Sequence, residues 1–299
     1  MSTDVIVSAS RLQSFLSLCK LRVNSLIVFT AMIGMLLAQA SLPPPLRFLA
    51  ATAGIGLVAF AAAAINCLIE RTVDARMTRT RGRPLPRGEI APAEALSMAM
   101  VMGGIGLYVL HEWVNDLTLW LTLATFLGYA VIYTVVLKPA TPMNIVIGGA
   151  AGAMPPLLGW AAMTGQVTQE SISLFLIIFL WTPPHFWALC MARRDDYAKA
   201  GFPMLPLTHG IRHTCSQSII YLALLSVASL LPVFLGMAGA AYAIAAAVLD
   251  MTFLMRAFKL WRSYSDTASL RLFRYSITYL GALFAALFAD RMIASWLPM

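Results

Sequence analysis

The stretch Arg47–Gly88, "RFLAATAGIGLVAFAAAAINCLIERTVDARMTRTRGRPLPRG", decides how the rest of the chain is read. Residues 47–69 carry no carboxylate and are long and apolar enough to cross a bilayer, which takes roughly 20 such residues in a helix. The following segment then concentrates Glu70, Asp74 and six arginines, from Arg71 to Arg87, in a short space. An oily span that ends in a dense polar loop is the signature of a membrane helix delivering chemistry to the membrane surface.

The whole chain follows that pattern. Its 299 residues are 60% hydrophobic and 11% charged, with a mean hydropathy of +0.79, whereas a soluble domain has about a quarter of its residues charged. Nine stretches qualify as spans, near 23–41, 47–69, 92–111, 117–137, 143–163, 171–191, 216–236, 238–258 and 276–296. They must be helices, because an open sheet would leave backbone groups unpaired in hydrocarbon, and the alternation of a membrane barrel is absent. The expectation is an all-α polytopic membrane protein of about nine helices in a single domain, 1–299. Two four-helix halves would surround a central cavity, with one last helix added.

Nineteen of the 21 basic residues fall on one side of such a bundle, leaving Arg47 and Arg291 on the other. Positive-inside bias therefore puts segment 1–19 and loops 70–91 and 192–214 in the cytoplasm and the C-terminus outside, in a bacterial-type inner membrane. The net charge of +8 is explained by this juxtamembrane placement, with no soluble face for nucleic acid. No signal-peptide pattern opens the chain. Cys19, Cys67, Cys190 and Cys215 form no CxxC pair and read as reduced thiols.

Asn66, Glu70 and Asp74 are spaced i, i+4, i+8, on one helical stripe. Three oxygen-bearing side chains on one face suit a hard cation such as Mg²⁺, which takes carboxylates together with substrate phosphates and water. Arg71, Arg76, Arg79 and Arg83 supply forked donors matched to phosphate. Metal ligands beside arginines point to a diphosphate substrate, with Lys138, Tyr133 and Lys199 as further contacts. The second loop, "RRDDYAKAGFPMLP" (193–206), brings Asp195 and Asp196 to the matching place in the other half, as further metal ligands. In "WTPPHFWAL" (181–189), His185 lies among Trp181 and Trp187 after two prolines that should disturb the helix. An imidazole there can ligate iron, act as a base, or hydrogen-bond between helices. Gly148, Gly149 and Gly152 allow either close helix packing or room for a flat ligand.

Together these segments resemble the intramembrane prenyltransferase superfamily, and within it the branch that farnesylates haem. "NCLIERTVDARMTRTRGRPLPRG" resembles that family's N-x-x-x-D-x-x-x-D loop. "YTVVLKPATPMNIVIGGAAGAMPPLLGW", "WTPPHFWAL", "DDYAKAGFPMLP" and "LFRYSITYLGALFAALFAD" resemble segments typical of the branch. Glu70 stands where the family usually has Asp, and Leu21 in "CKLR" where proline is commoner. The resemblance implies farnesyl diphosphate and haem B as substrates, haem O as product, and Mg²⁺ bridging the diphosphate. Asn66, Glu70, Asp74, Asp195 and Asp196 would be the catalytic metal set, and His185, Trp181 and Trp187 the haem contacts. It leaves room for a haem A synthase or a terminal-oxidase assembly factor as partner. Two rivals remain: a prenyltransferase with an aromatic quinone precursor as acceptor, and a transporter. The short, plain outer loops argue against transport.

Overall fold

The computed structural model describes residues 10–39 and 41–296; the first nine residues of the expected N-terminal segment, and residue 40 at the end of the first span, lie outside it. The nine expected spans are α1 (Leu21–Leu37), α2 (Pro45–Ile69), α3 (Pro92–Trp113), α4 (Asp116–Ala140), α5 (Asn144–Thr164), α6 (Gln169–Ala192), α7 (Gly210–Phe234), α8 (Ala240–Arg262) and α9 (Asp266–Trp296). Eight are long and apolar enough to cross a bilayer alone; the ninth pairs α1 with the short helix Arg11–Leu18 across a 50° bend. The protein is a multi-pass membrane protein.

Local sequence explains where these helices start and stop. Pro45 and Pro92 open α2 and α3, where the missing N–H has no intrahelical partner to lose. Asn115 caps α4, its side-chain oxygen accepting from Thr118 N at 2.8 Å. Gly165 ends α5 in the left-handed region, at φ 67°. The prolines of α6, expected to disturb it, leave it unbroken. Pro183 and Pro184 sit inside a continuous helix, because in a membrane bundle neighbouring helices and hydroxyls compensate the lost backbone bonds. Next to them Thr182 Oγ1 donates to the Ile178 carbonyl at 2.8 Å, so its hydroxyl is satisfied within the helix.

α1 crosses α5 with backbones in contact. A Cβ at Gly34 would lie 2.1 Å from the Pro156 carbonyl oxygen, and one at Gly159 2.0 Å from that of Ala31. Small residues are what let membrane helices approach so closely. α2 lies along α3, α6 packs on α5, α7 and α9, and α9 returns between α8 and α1. In mid-α8 a carboxylate is buried: Asp250 accepts from Tyr279 OH at 2.5 Å and from Ser229 Oγ at 2.7 Å. That network ties α7, α8 and α9 together and satisfies a polar group that would otherwise be unfavourable in hydrocarbon.

One end of the bundle gathers the polar segments. The helix Arg11–Leu18 is joined to the start of α3 by the Arg11–Glu94 ion pair and by Ser14 Oγ donating to Glu89 at 2.9 Å. Met77 of the first loop shares an apolar cluster with Tyr197, Ala200 and Met204 of the second. The two loops that the sequence pairs by position therefore pack on each other.

Candidate active site

The stripe at the end of α2 points inward. Asn66, Glu70 and Asp74 are buried, at 3%, 8% and 2% exposure. Each oxygen faces a cation. Glu70 pairs with Lys138, Asp74 Oδ2 accepts from Arg83 Nη1 at 2.6 Å, and Asn66 Oδ1 accepts from Lys20 Nζ at 2.6 Å. Charges this poorly hydrated persist only when paired.

The orientation of Asn66 follows from counting hydrogens. Thr134 Oγ1 donates its one hydrogen to the Tyr129 carbonyl at 2.9 Å, so toward Asn66 it can only accept, which it does from Nδ2 at 3.1 Å. Lys20, a donor only, must meet the other end of the amide. The carboxamide oxygen is thereby turned to Lys20 and its nitrogen to the wall formed by α4.

Thr134 arrives there because α4 changes winding. Residues Gly128–Leu137 form a π-helix, a wider turn that often marks functional sites. The ten residues bring Tyr133 and Thr134 inward, stack Tyr129 on Tyr133 at 5.6 Å, and place Lys138 beside Glu70. Lys138 Nζ also lies 4.7 Å from the Phe202 ring centroid, so it touches both loops. Gly148 makes space for Tyr133, whose ring a Cβ there would meet at 2.0 Å, and Gly149 does the same for Thr182. These two glycines serve packing; Gly152 faces open space.

The second loop contributes less than its sequence suggests. In the short helix Arg194–Ala200, Tyr197 and Ala200 are buried. At about 100° per residue, Asp195 and Lys199 fall on the opposite face, and both are exposed. Asp195 lies 3.7 Å from Arg194 with its side chain 90% exposed. Asp196, on the flank, is half-buried. Among the described residues no three His, Cys, Asp or Glu side chains gather as a metal-binding group. The five-residue metal set expected from sequence is therefore not assembled here, and Asp195 is turned away from it. Burial pushes the Tyr197 hydroxyl above its ordinary range, with the positive charge of Arg79 pulling the other way. Arg71 donates to the Leu68 carbonyl at the end of α2, and Arg76 and Arg79 are exposed at the same mouth.

His185 is held between α6 and α9. Its ring stacks on Trp181 at 4.1 Å and on Phe273 at 4.6 Å, and Nδ1 lies 2.6 Å from Ser276 Oγ. Ser276 donates its hydrogen to the Phe273 carbonyl at 2.6 Å, so it accepts from His185 Nδ1–H. That tautomer leaves Nε2 with a free lone pair. Trp187 is fully buried and its Nε1–H has no hydrogen-bond partner, as is true of the Asn144 carboxamide oxygen. Such orphaned polar atoms call for a ligand or water to satisfy them.

A sequence profile described as the UbiA prenyltransferase family matches residues 27–287. The chain belongs to the UbiA prenyltransferase family. Its relatives include a protoheme IX farnesyltransferase of Dechloromonas aromatica, 63% identical over 98% of each chain. One of Thiobacillus denitrificans is 60% identical over 95% of each, and one of Bordetella avium 56% identical over 94% of this chain and 95% of that one. Among solved structures, a digeranylgeranylglyceryl phosphate synthase superposes with a TM-score of 0.79 at 20% identity, covering 95% of this chain and 99% of that one. A UbiA homologue from Archaeoglobus fulgidus bound to DMAPP and Mg²⁺ gives a TM-score of 0.63 at 16% identity, over 90% and 98%. Within this UbiA chain the donor set fits a hard cation: one amide and two carboxylate oxygens on one stripe leave positions for water and phosphate oxygens. Sequence reading missed Lys20, Thr134, Phe273 and Ser276. Lys20 was counted only toward orientation, and no periodic signal marks a threonine brought inward by a π-helix.

Proposed function

We propose that the protein transfers the farnesyl group of farnesyl diphosphate to a vinyl group of haem B, giving haem O and diphosphate. The full-length identity of 63% to a protoheme IX farnesyltransferase carries this reading, and the three cation–oxygen pairs at the mouth of the bundle support it.

Breaking the allylic C–O bond leaves negative charge on the diphosphate. Lys138, Arg83 and the mouth arginines Arg71, Arg76 and Arg79 donate to it, stabilising charge as it develops. Asn66, Glu70 and Asp74 would hold a divalent cation such as Mg²⁺, which would supply further neutralisation of that leaving group. Asp195, turned outward, is left out of this set. The farnesyl cation forms a C–C bond to the vinyl terminus, and water then adds to the other vinyl carbon with release of a proton, giving the hydroxyethylfarnesyl group. Stacked Tyr129 and Tyr133 present aromatic faces to the cation, and the surrounding helices keep water from quenching it early. His185, through its free Nε2, contacts the haem, with Trp181 and Trp187 beside it. The loops face the cytoplasm and the C-terminus the outside of a bacterial inner membrane.

The test is to incubate membranes carrying the protein with haem B, farnesyl diphosphate and Mg²⁺ and identify the haem by mass. Haem O is expected; haem B alone, or prenylation of an added aromatic acid instead, would overturn the assignment. Purified protein loaded with haem tests His185: His185→Ala should shift the Soret band, and an identical band rules out iron ligation.

A further inference from the structure

Lys20 is the only non-glycine residue with a left-handed backbone among those described, at φ 46° and ψ 51°. It follows Cys19, the C-cap of Arg11–Leu18, at the position where helices ordinarily place glycine. A lysine retained there works against the backbone preference, so the side chain supplies the reason for its presence. Buried Asn24 holds the break, donating to the Cys19 carbonyl at 2.6 Å. The turn thereby aims the Lys20 ammonium at the end of α2.

There it completes a pattern. Asn66, Glu70 and Asp74 each face one cation, and the three cations come from separate segments: Lys20 before α1, Lys138 in α4, and Arg83 in the first loop. Lys138 and Arg83 are diphosphate contacts in the reading above, on which this inference rests. We infer that Lys20 is a further diphosphate-binding cation and that it positions the Asn66 carboxamide. An ammonium carries three donors; one satisfies Asn66 Oδ1 and two remain for phosphate oxygens. Lys20 is half-buried and borders an open concavity with Gln13, Ser17 and Leu21.

The experiment uses the full chain in lipid nanodiscs, as wild type, Lys20→Gly and Lys20→Arg. Inorganic diphosphate binding with Mg²⁺ is measured by calorimetry, alongside thermal unfolding and the KM for each substrate. Glycine suits the left-handed backbone, which offsets the cost of leaving Asn66 Oδ1 without its donor, so Lys20→Gly should unfold within a few degrees of wild type. It should nonetheless bind diphosphate about tenfold or more weakly and raise KM for farnesyl diphosphate while leaving that for haem B alone. Lys20→Arg should recover part of the affinity. Wild-type affinity in Lys20→Gly, or a fall in unfolding temperature with both KM values rising together, would overturn the inference. If the wild type itself binds no diphosphate, the functional reading beneath it falls.

Discussion

At Asn66, two neighbours decide which way one carboxamide faces. Thr134 can only accept and Lys20 can only donate, so the oxygen turns to Lys20 and the nitrogen to Thr134. Thr134→Val keeps the shape and removes the acceptor, leaving a buried N–H unsatisfied, which costs about 1–3 kcal/mol. The variant should unfold at a lower temperature in detergent, and its haem O formation should fall as the amide loses its fixed orientation. Unchanged turnover would show that the orientation does not matter. The stripe of oxygens was legible in the sequence, because spacing of four within a helix fixes a face. Its partners were not legible, since Lys20 and Lys138 lie 46 and 68 residues away from the groups they hold, and only the packing of α1, α2 and α4 brings them together.

Hydropathy reveals an element when burial in lipid is what forms it. All nine spans were readable for that reason, though α7 and α9 begin six and ten residues earlier than hydropathy suggested, and α6 stays one helix through its two prolines, since local propensity yields to a bundle that satisfies the backbone. The π-helix of α4 is the counter-case. A reading that assumes 3.6 residues per turn assigns Thr134 a different phase from the one it adopts, so no periodicity could announce it. The second loop failed for a related reason. "RRDD" looks like a matching acidic pair, but adjacent residues in a helix diverge by about 100°. With Tyr197 and Ala200 buried, only Asp196 keeps a flank toward the interior.

The whole molecule is polarised along its axis. Nineteen of 21 basic residues sit in segments at one end, together with the buried acids that they serve. Charge therefore fixes how the bundle inserts and supplies the site in the same stroke, which is why a basic loop here need not choose between topology and chemistry. If positive-inside bias sets the orientation, the site opens to the cytoplasm. All four native cysteines are buried, so a new thiol at an exposed position can be read against a quiet background. Thr78 in the first loop and Val167 at the opposite end are both exposed, and neither belongs to the site. A membrane-impermeant maleimide added to intact spheroplasts should label Val167→Cys at once and Thr78→Cys only after permeabilisation. The reverse order would turn the protein over in its membrane and place the diphosphate-binding mouth on the outside, away from any cytoplasmic supply of farnesyl diphosphate.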